Sequence, residues 1–256
     1  MKKIINWKLF LVLIAVSGVT GALVLPFAYA LAPLPDNTPM QIIILTQIAQ
    51  TLVLSALASF FGLLLSRRVG FGAPILEGIT GGEQRKGYLK SILGSSVLWG
   101  IGGGVLVVLL CIPFWNMSIE LMKAEMAVPV WKSALAIFYG GTTEEILFRL
   151  FLMTLLVWIT AKIKKTKDGG PTQIGVWLAI IITGVIFGLG HLDITSAITA
   201  ITDDVILRAV LLNGSLSVIY GWLYWKKGLE SAMIAHFSTD VVLHLIIPHV
   251  IAPLLL

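Results

Sequence analysis

The sequence predicts an all-α fold, a polytopic transmembrane helical bundle of about seven spans, within a range of roughly six to eight. Three observations predict it. Hydrophobic residues make up 57% of the 256 residues and charged residues only 12%, and the mean hydropathy is +0.96, which no water-soluble domain of this size needs to close its core. The apolar residues form long segments, and the basic residues gather in alternate connections between them.

Each apolar segment is long enough to cross a bilayer, since about 20 residues at ~1.5 Å rise span the hydrocarbon core. The first segment exceeds the ~7 to 15 apolar residues of a signal peptide, so we expect it to be a retained span. The predicted spans are residues 9–31, 40–65, 89–115, 130–161, 173–192, 205–225 and 229–247.

The net charge of +5 reflects topology rather than a nucleic-acid partner. The basic clusters lack the aromatic interleaving of a nucleic-acid surface, so we expect no nucleic acid among the partners. By the positive-inside rule they predict a cytoplasmic N-terminus. The clusters are Lys2, Lys3 and Lys8 before the first span; Arg67, Arg68, Arg85, Lys86 and Lys90 between the second and third; Lys162, Lys164, Lys165 and Lys167 between the fourth and fifth; and Lys226 and Lys227 between the sixth and seventh.

Three ionisable residues interrupt the fourth segment, in the stretch GGTTEEILFRLFL. An ionisable side chain at bilayer depth is costly and is by default a functional hypothesis. Glu145 and Arg149 are four residues apart with the acid first, the favourable order for a helical ion pair. Glu144 projects about 100° away and has no such cation of its own. It is therefore the candidate general base.

A purely structural interpretation of the same residues stays open. Thr142 and Glu145 match the capping box, with Thr142 as the N-cap and Glu145 as the third helical residue. On this interpretation the helix begins after a break at Gly140 and Gly141, and the acids only start it.

Two further segments carry histidines. VIFGLGHLD places Phe187 and His191 one helical turn apart, and MIAHFSTDVV places His236 and Asp240 one turn apart. Two histidines and a carboxylate on helices separate from the glutamate pair form a constellation that lipid makes costly to assemble without a function. We assign supporting or interfacial positions to His244 and His249. Arg208 and Asn213 either bridge helices or satisfy broken backbone, and we favour an interhelical hydrogen bond for Asn213.

The stretches EEILFR, FGLGH and HFSTD, in that order, resemble the three motifs of the CPBP intramembrane endopeptidases, Glu-Glu-x-x-x-Arg, Phe-x-x-x-His and His-x-x-x-Asn/Asp. This family joins the type II CAAX prenyl proteases to bacterial Abi proteins, some of them linked to bacteriocin self-immunity. The resemblance covers roughly residues 130–247. We therefore expect residues 1–128 to be accessory N-terminal spans and residues 129–256 to be the catalytic core.

The resemblance implies an intramembrane endopeptidase that cleaves a membrane-associated protein or peptide, with a CAAX-type prenylated C-terminus as one substrate. It also implies an integral protein of the lipid bilayer, which we expect in the plasma membrane of a prokaryote. The implied roles are Glu144 activating water with the help of His191, His236 and Asp240 stabilising the oxyanion, and Glu145, Arg149 and Phe187 supporting the geometry.

Position 240 departs from the prenyl-protease branch, where Asn is typical. An ionised Asp cannot donate a hydrogen bond, so Asp240 must be protonated, orient His236 or bind a metal. Glu144, His191, His236 and Asp240 supply two imidazoles and two carboxylates, an acceptable zinc set. We favour a mechanism without a cofactor and keep zinc as the alternative.

Two other function classes stay open. One is a noncatalytic membrane scaffold or bacteriocin-immunity-type partner that keeps the motif helices for packing. The other is a proton-coupled transporter, which also uses buried Glu and His, although the sequence has no inverted repeat or pair of broken spans to favour it.

Overall fold

The computed structural model describes residues 5–32, 39–83 and 85–255 of the chain. Seven helices in these ranges are long and apolar enough to cross a membrane, which confirms the predicted all-α polytopic bundle of an integral membrane protein. Lys2, Lys3 and residues 33–38, which contributed to the predicted topology, lie outside the described residues. The spans are Trp7–Leu31, Met40–Val69, Lys86–Leu110, Val130–Ile163, Gln173–Ser196, Asp203–Lys227 and Leu229–Leu255.

Several spans are subdivided. The first consists of helices Trp7–Leu23 and Leu25–Leu31, and the fifth of Gln173–Gly190 and Leu192–Ser196. The fourth consists of Val130–Phe138, two π-helical stretches Tyr139–Glu144 and Ile146–Met153, and Thr154–Ile163. The seventh consists of Leu229–Asp240, a π-helical stretch Val241–Ile251, and Ala252–Leu255.

Two connections contain helices of their own. Helix Trp115–Met126 follows a short turn after the third span. Helix Pro74–Gly81 lies between the second and third spans, with proline in its first turn and Gly82 ending it at φ 85°. Its N-terminus is anchored by the seventh span, because Glu230 Oε1 accepts hydrogen bonds from the amides of Ile75 at 2.9 Å and Leu76 at 2.8 Å.

The helix of the fourth span runs through Gly140 and Gly141 without a break, so the capping-box interpretation is wrong. Thr142 caps no helix start; its hydroxyl donates instead to the carbonyl of Phe138 within the same helix. The glycines serve packing against the seventh span. A methyl group at Gly140 would clash with Asp240 Oδ2 and lie 3.1 Å from His236 Nε2.

The fourth span lies at the centre of the bundle. Its residues Ile146, Leu150 and Met153 are completely buried. The first span contacts it through the hydroxyls of Thr20 and Thr143, 2.7 Å apart. The second span approaches it so closely at Gly62 that an added Cβ would lie 2.7 Å from the Leu150 carbonyl oxygen. The N-terminal spans therefore help to hold the helix that carries the glutamate pair.

Candidate active site

The fourth and seventh spans bring five ionisable groups of the motifs together. Glu145 and Arg149 form the predicted ion pair, with Oε1 3.0 Å from the nearer guanidinium nitrogen and both side chains fully buried. His236 Nδ1 lies 2.7 Å from the same Glu145 oxygen. One buried carboxylate therefore holds both the arginine of its own helix and the histidine of the seventh span.

The hydrogen bond from His236 to Glu145 determines which nitrogen of the imidazole is free. A carboxylate accepts, so Nδ1 carries the hydrogen and Nε2 points away from Glu145. Nε2 lies 3.8 Å from Glu144 Oε2 and 3.6 Å from Asp240 Oδ1. Both separations are longer than a direct hydrogen bond. The free nitrogen of His236 thus lies between two carboxylates without being bonded to either.

The two adjacent glutamates differ in access. The side chain of Glu144 is 20% exposed and that of Glu145 is 0% exposed. Glu145 is engaged by Arg149 and His236, whereas Glu144 approaches His236 only at 3.8 Å. Glu144 is therefore the carboxylate of the pair that water or a substrate can reach.

The fifth span contributes its motif through Phe187. His191 ends helix Gln173–Gly190, and its Nδ1 lies 2.8 Å from the carbonyl oxygen of Phe187. The Phe187 ring meets the His191 ring at 4.6 Å and the His236 ring at 5.9 Å between centroids, both edge-on. The two histidines therefore contact the same aromatic ring, although His191 ends its helix and His236 lies inside helix Leu229–Asp240.

The sixth span adds two residues that the sequence analysis missed. The Tyr220 ring stacks on the His236 ring, with centroids 4.5 Å apart and an interplanar angle of 17°. Arg149 lies between the Tyr220 and Phe187 rings, at 5.1 and 4.8 Å, and donates to the Ser217 hydroxyl at 2.9 Å. Tyr220 and Ser217 carry no charge at neutral pH, so they do not stand out in a sequence where ionisable groups at bilayer depth are the signal. Their one signal is the spacing of Ser217 and Tyr220, which places them about one turn apart on the helix.

The buried polar atoms of the site that make no hydrogen bond within the described part of the chain include Glu145 Oε2 and Arg149 Nε. Buried polar atoms are nearly always satisfied in folded proteins, and the exceptions concentrate where function requires them. Both atoms belong to the buried ion pair that also holds His236.

The other four polar residues that the sequence singled out make their hydrogen bonds outside this cluster. Arg208 joins helices, one of the two roles predicted for it, because its Nε donates to the Ser118 hydroxyl of helix Trp115–Met126 at 3.2 Å. Asn213 does not: its amide donates to the Ala209 carbonyl of its own helix, so the prediction of an interhelical bond there is wrong. Two histidines pair with other elements, His244 with Glu125 at 3.1 Å and His249 with Ser133 at 3.3 Å.

The donor atoms do not form a metal centre in this arrangement. Within residues 5–32, 39–83 and 85–255, no group of three or more His, Cys, Asp or Glu side chains is placed to hold one ion. The alternative zinc set of Glu144, His191, His236 and Asp240 is therefore not assembled as ligands among the described residues.

An apolar groove of about 620 Å³ lies beside the site, between the third, fourth and seventh spans. Its walls include Ile101 and Gly141, and also Phe237 and Val241, the neighbours in sequence of His236 and Asp240. The same two helices thus carry the ionisable cluster on one face and an apolar groove on the adjacent face.

Residues 126–242 match the protein family described as type II CAAX prenyl endopeptidase Rce1-like. The matched segment contains all three motifs, from the glutamate pair to Asp240, and it excludes the first three spans. Neither a curated protein nor a solved structure was found to match the chain.

Proposed function

We propose that the protein is an intramembrane endopeptidase in which Glu144 activates the attacking water, a proposal supported by the match of residues 126–242 to the type II CAAX prenyl endopeptidase Rce1-like family. The observation that carries the proposal is that the two glutamates differ in burial and in hydrogen bonding. Glu145 is buried and bonded to Arg149 and His236, while Glu144 is partly exposed beside the free His236 nitrogen.

The first step is proton removal from water. A water molecule in contact with Glu144 loses a proton to the carboxylate, and its oxygen attacks the carbonyl carbon of the scissile peptide bond. His191 assists by orienting this water, because its Nδ1 is held at the Phe187 carbonyl and its other nitrogen remains available. The carbon–oxygen bond forms as the carbonyl π bond opens, which leaves a negative charge on the former carbonyl oxygen.

The second step is stabilisation of that oxyanion. Protonated His236 donates from Nε2, which the Glu145 bond to Nδ1 aims toward Glu144 and Asp240. Asp240 contributes from the other side, as a donor when it carries a proton. Donors held in place before the reaction cost no reorganisation, and one such donor contributes roughly 10²- to 10³-fold in rate.

The third step is collapse of the tetrahedral intermediate. The oxyanion re-forms the carbonyl bond, the carbon–nitrogen bond breaks, and protonated Glu144 returns its proton to the leaving amine. The products are an amine and a carboxylic acid, which keeps the second proton of the water until it ionises in solvent, and Glu144 is again ionised for the next cycle.

The substrate we propose is a membrane-associated protein or peptide with a hydrocarbon modification, of which a CAAX-type prenylated C-terminus is the leading example. The apolar groove beside the site supports this assignment, because its walls are the neighbouring face of the helices that carry His236 and Asp240. We further propose that residues 129–256 form the catalytic core, that residues 1–128 are accessory, and that the protein resides in the plasma membrane of a prokaryote with its N-terminus in the cytoplasm.

The proposal is tested by incubating detergent-purified protein with a panel of membrane-associated peptides, each in prenylated and unprenylated form. We expect cleavage by the wild type, preferring the prenylated form, and no cleavage by Glu144→Ala or His236→Ala variants that retain the wild-type circular dichroism spectrum. Full activity in both folded variants would refute the catalytic assignment. Absence of cleavage across the whole panel would instead favour the noncatalytic scaffold.

A further inference from the structure

A second cavity, of about 1070 Å³, lies at the N-terminal end of the first span. It is bounded by the start of the first span, the end of the second and the connection that follows. Its cationic side chains include Lys8, Arg67 and Arg68, and none of the described residues that line it is acidic. The cavity therefore concentrates three positive charges at an end of the bundle.

Helix dipoles favour a cation at two of these three positions but not at the third. Arg67 and Arg68 lie in the last turn of helix Met40–Val69, where cations are favoured. Lys8 lies in the first turn of helix Trp7–Leu23, where the dipole repels a cation. The ion pairs among the described residues include neither Lys8 nor Arg68. Lys8 is thus placed against its own helix dipole and beside other cations, an arrangement that an anion would relieve.

The rest of the wall is apolar and aromatic. Trp7, Leu64 and Phe71 line the same cavity. Trp7 is 55% exposed, as expected for a tryptophan at the boundary between lipid and water. A ligand that fits this lining has an anionic group for the cations and an apolar portion for the aromatic wall.

Hydrogen bonds and a ring contact hold the walls of the cavity against neighbouring helices. The Asn6 amide donates to the Thr80 hydroxyl at 2.7 Å, which ties the start of the first span to helix Pro74–Gly81. Phe71 packs edge-on against Tyr224 of the sixth span at 5.2 Å. The amide of Leu229 donates to the Gly72 carbonyl at 3.0 Å. Because these contacts hold the walls, a ligand would not have to order the cavity before binding.

We propose that this cavity is a binding site for a phosphate group, supplied either by an anionic lipid headgroup or by a soluble phosphate. Arginine suits this ligand because its planar guanidinium matches phosphate oxygens in pairs. The site is separate from the Glu144 cluster, and its occupancy does not depend on proteolysis.

The test uses the full-length protein in detergent, with phosphatidylglycerol as the lipid probe, diacylglycerol as its phosphate-free control, and inorganic phosphate as the soluble probe. Native mass spectrometry counts bound lipid, and calorimetry measures phosphate binding. The cavity variant is Lys8→Gln, Arg67→Gln, Arg68→Gln. The matched control is Lys164→Gln, Lys165→Gln, Lys167→Gln, which removes three exposed lysines outside the cavity.

We expect the wild type and the lysine control to bind at least one phosphate-bearing probe but not diacylglycerol, and the cavity variant to bind it roughly tenfold or more weakly. Binding of phosphatidylglycerol alone would identify the lipid source, and binding of inorganic phosphate would identify the soluble one. The variant Lys8→Arg, Arg67→Lys, Arg68→Lys keeps the three positive charges and should retain binding. It shows whether weaker binding by the cavity variant comes from lost charge or from a disturbed fold. Equal weakening in the cavity and control variants, or no binding of either phosphate probe by the wild type, would overturn the proposal.

Discussion

His236 Nδ1 lies 2.7 Å from Glu145 Oε1, so the second glutamate of the adjacent pair holds the histidine of the seventh span. Glu145 reaches across to His236 while it also pairs with Arg149, four residues further along its own helix. This relationship leaves the neighbouring Glu144 partly exposed and beside the other nitrogen of the imidazole. The assignment of Glu144 as the base depends on it.

Neutralising Glu145 should damage the fold as well as the reaction. Glu145→Gln leaves Arg149 buried without its carboxylate, and breaking a buried ion pair from one side typically costs ~3 to 5 kcal/mol. We expect a clearly lowered Tm in differential scanning fluorimetry. Glu144→Gln removes the same charge one residue earlier, at a partly exposed position, and serves as the matched control with a Tm near that of the wild type. Equal Tm values for both variants would contradict the assignment of a structural role to Glu145 and not to Glu144.

Replacing Asp240 separates a donor role from a charge role. If Asp240 acts as a hydrogen-bond donor to the oxyanion, Asp240→Asn keeps a donor at that position and should retain activity, while Asp240→Ala should lower kcat by roughly 10²-fold. The measurement is kcat for cleavage of the best peptide at saturating substrate. Inactivation by Asn as severe as that by Ala would show that the negative charge, rather than donation, is required.

A methyl group at position 140 should disrupt the site at its centre. Gly140→Ala places a Cβ against Asp240 Oδ2 and 3.1 Å from His236 Nε2, so the fourth and seventh spans must move apart. We expect loss of most activity, measured on the same peptide. The control is Gly102→Ala in the third span, where an added Cβ meets no atom within 4 Å. Wild-type activity in Gly140→Ala would contradict the close approach of these helices.

Tyr220 should act through its ring rather than its hydroxyl. The ring stacks on His236 at 4.5 Å, while no hydrogen bond joins the hydroxyl to an ionisable group of the site among the described residues. Tyr220→Phe keeps the stack and should preserve activity, whereas Tyr220→Leu should lower kcat by letting the imidazole reorient. Activity measurements read alongside the Tm distinguish positioning from general destabilisation. Loss of activity in Tyr220→Phe would instead assign the hydroxyl a direct role.

The sequence predicts the membrane spans and the charged members of the site for the same physical reason. Apolar runs and ionisable groups at bilayer depth are each unusual, so Glu144, Glu145, Arg149, His236 and Asp240 stand out from their surroundings. The ion pair of Glu145 and Arg149 follows from helical spacing alone.

What the sequence could not predict depends on contacts between helices. Tyr220 and Ser217 are ordinary residues of a membrane helix until packing places them against His236 and Arg149. The bond from Glu145 to His236 joins positions 91 residues apart, which no local pattern reveals. Gly140 and Gly141 indicated a helix break, but their small size is used to bring the fourth and seventh spans together, which local propensity cannot distinguish.

The central claim is tested most directly by comparing wild type and Glu144→Gln on one cleaved peptide, at enzyme excess and with equal amounts of folded protein. The substitution keeps size and hydrogen-bonding capacity but removes the base. We predict that the wild type cleaves the peptide with or without a strong chelator and that Glu144→Gln does not cleave it, while its Tm stays near the wild-type value. Cleavage by Glu144→Gln at the wild-type rate would contradict the account.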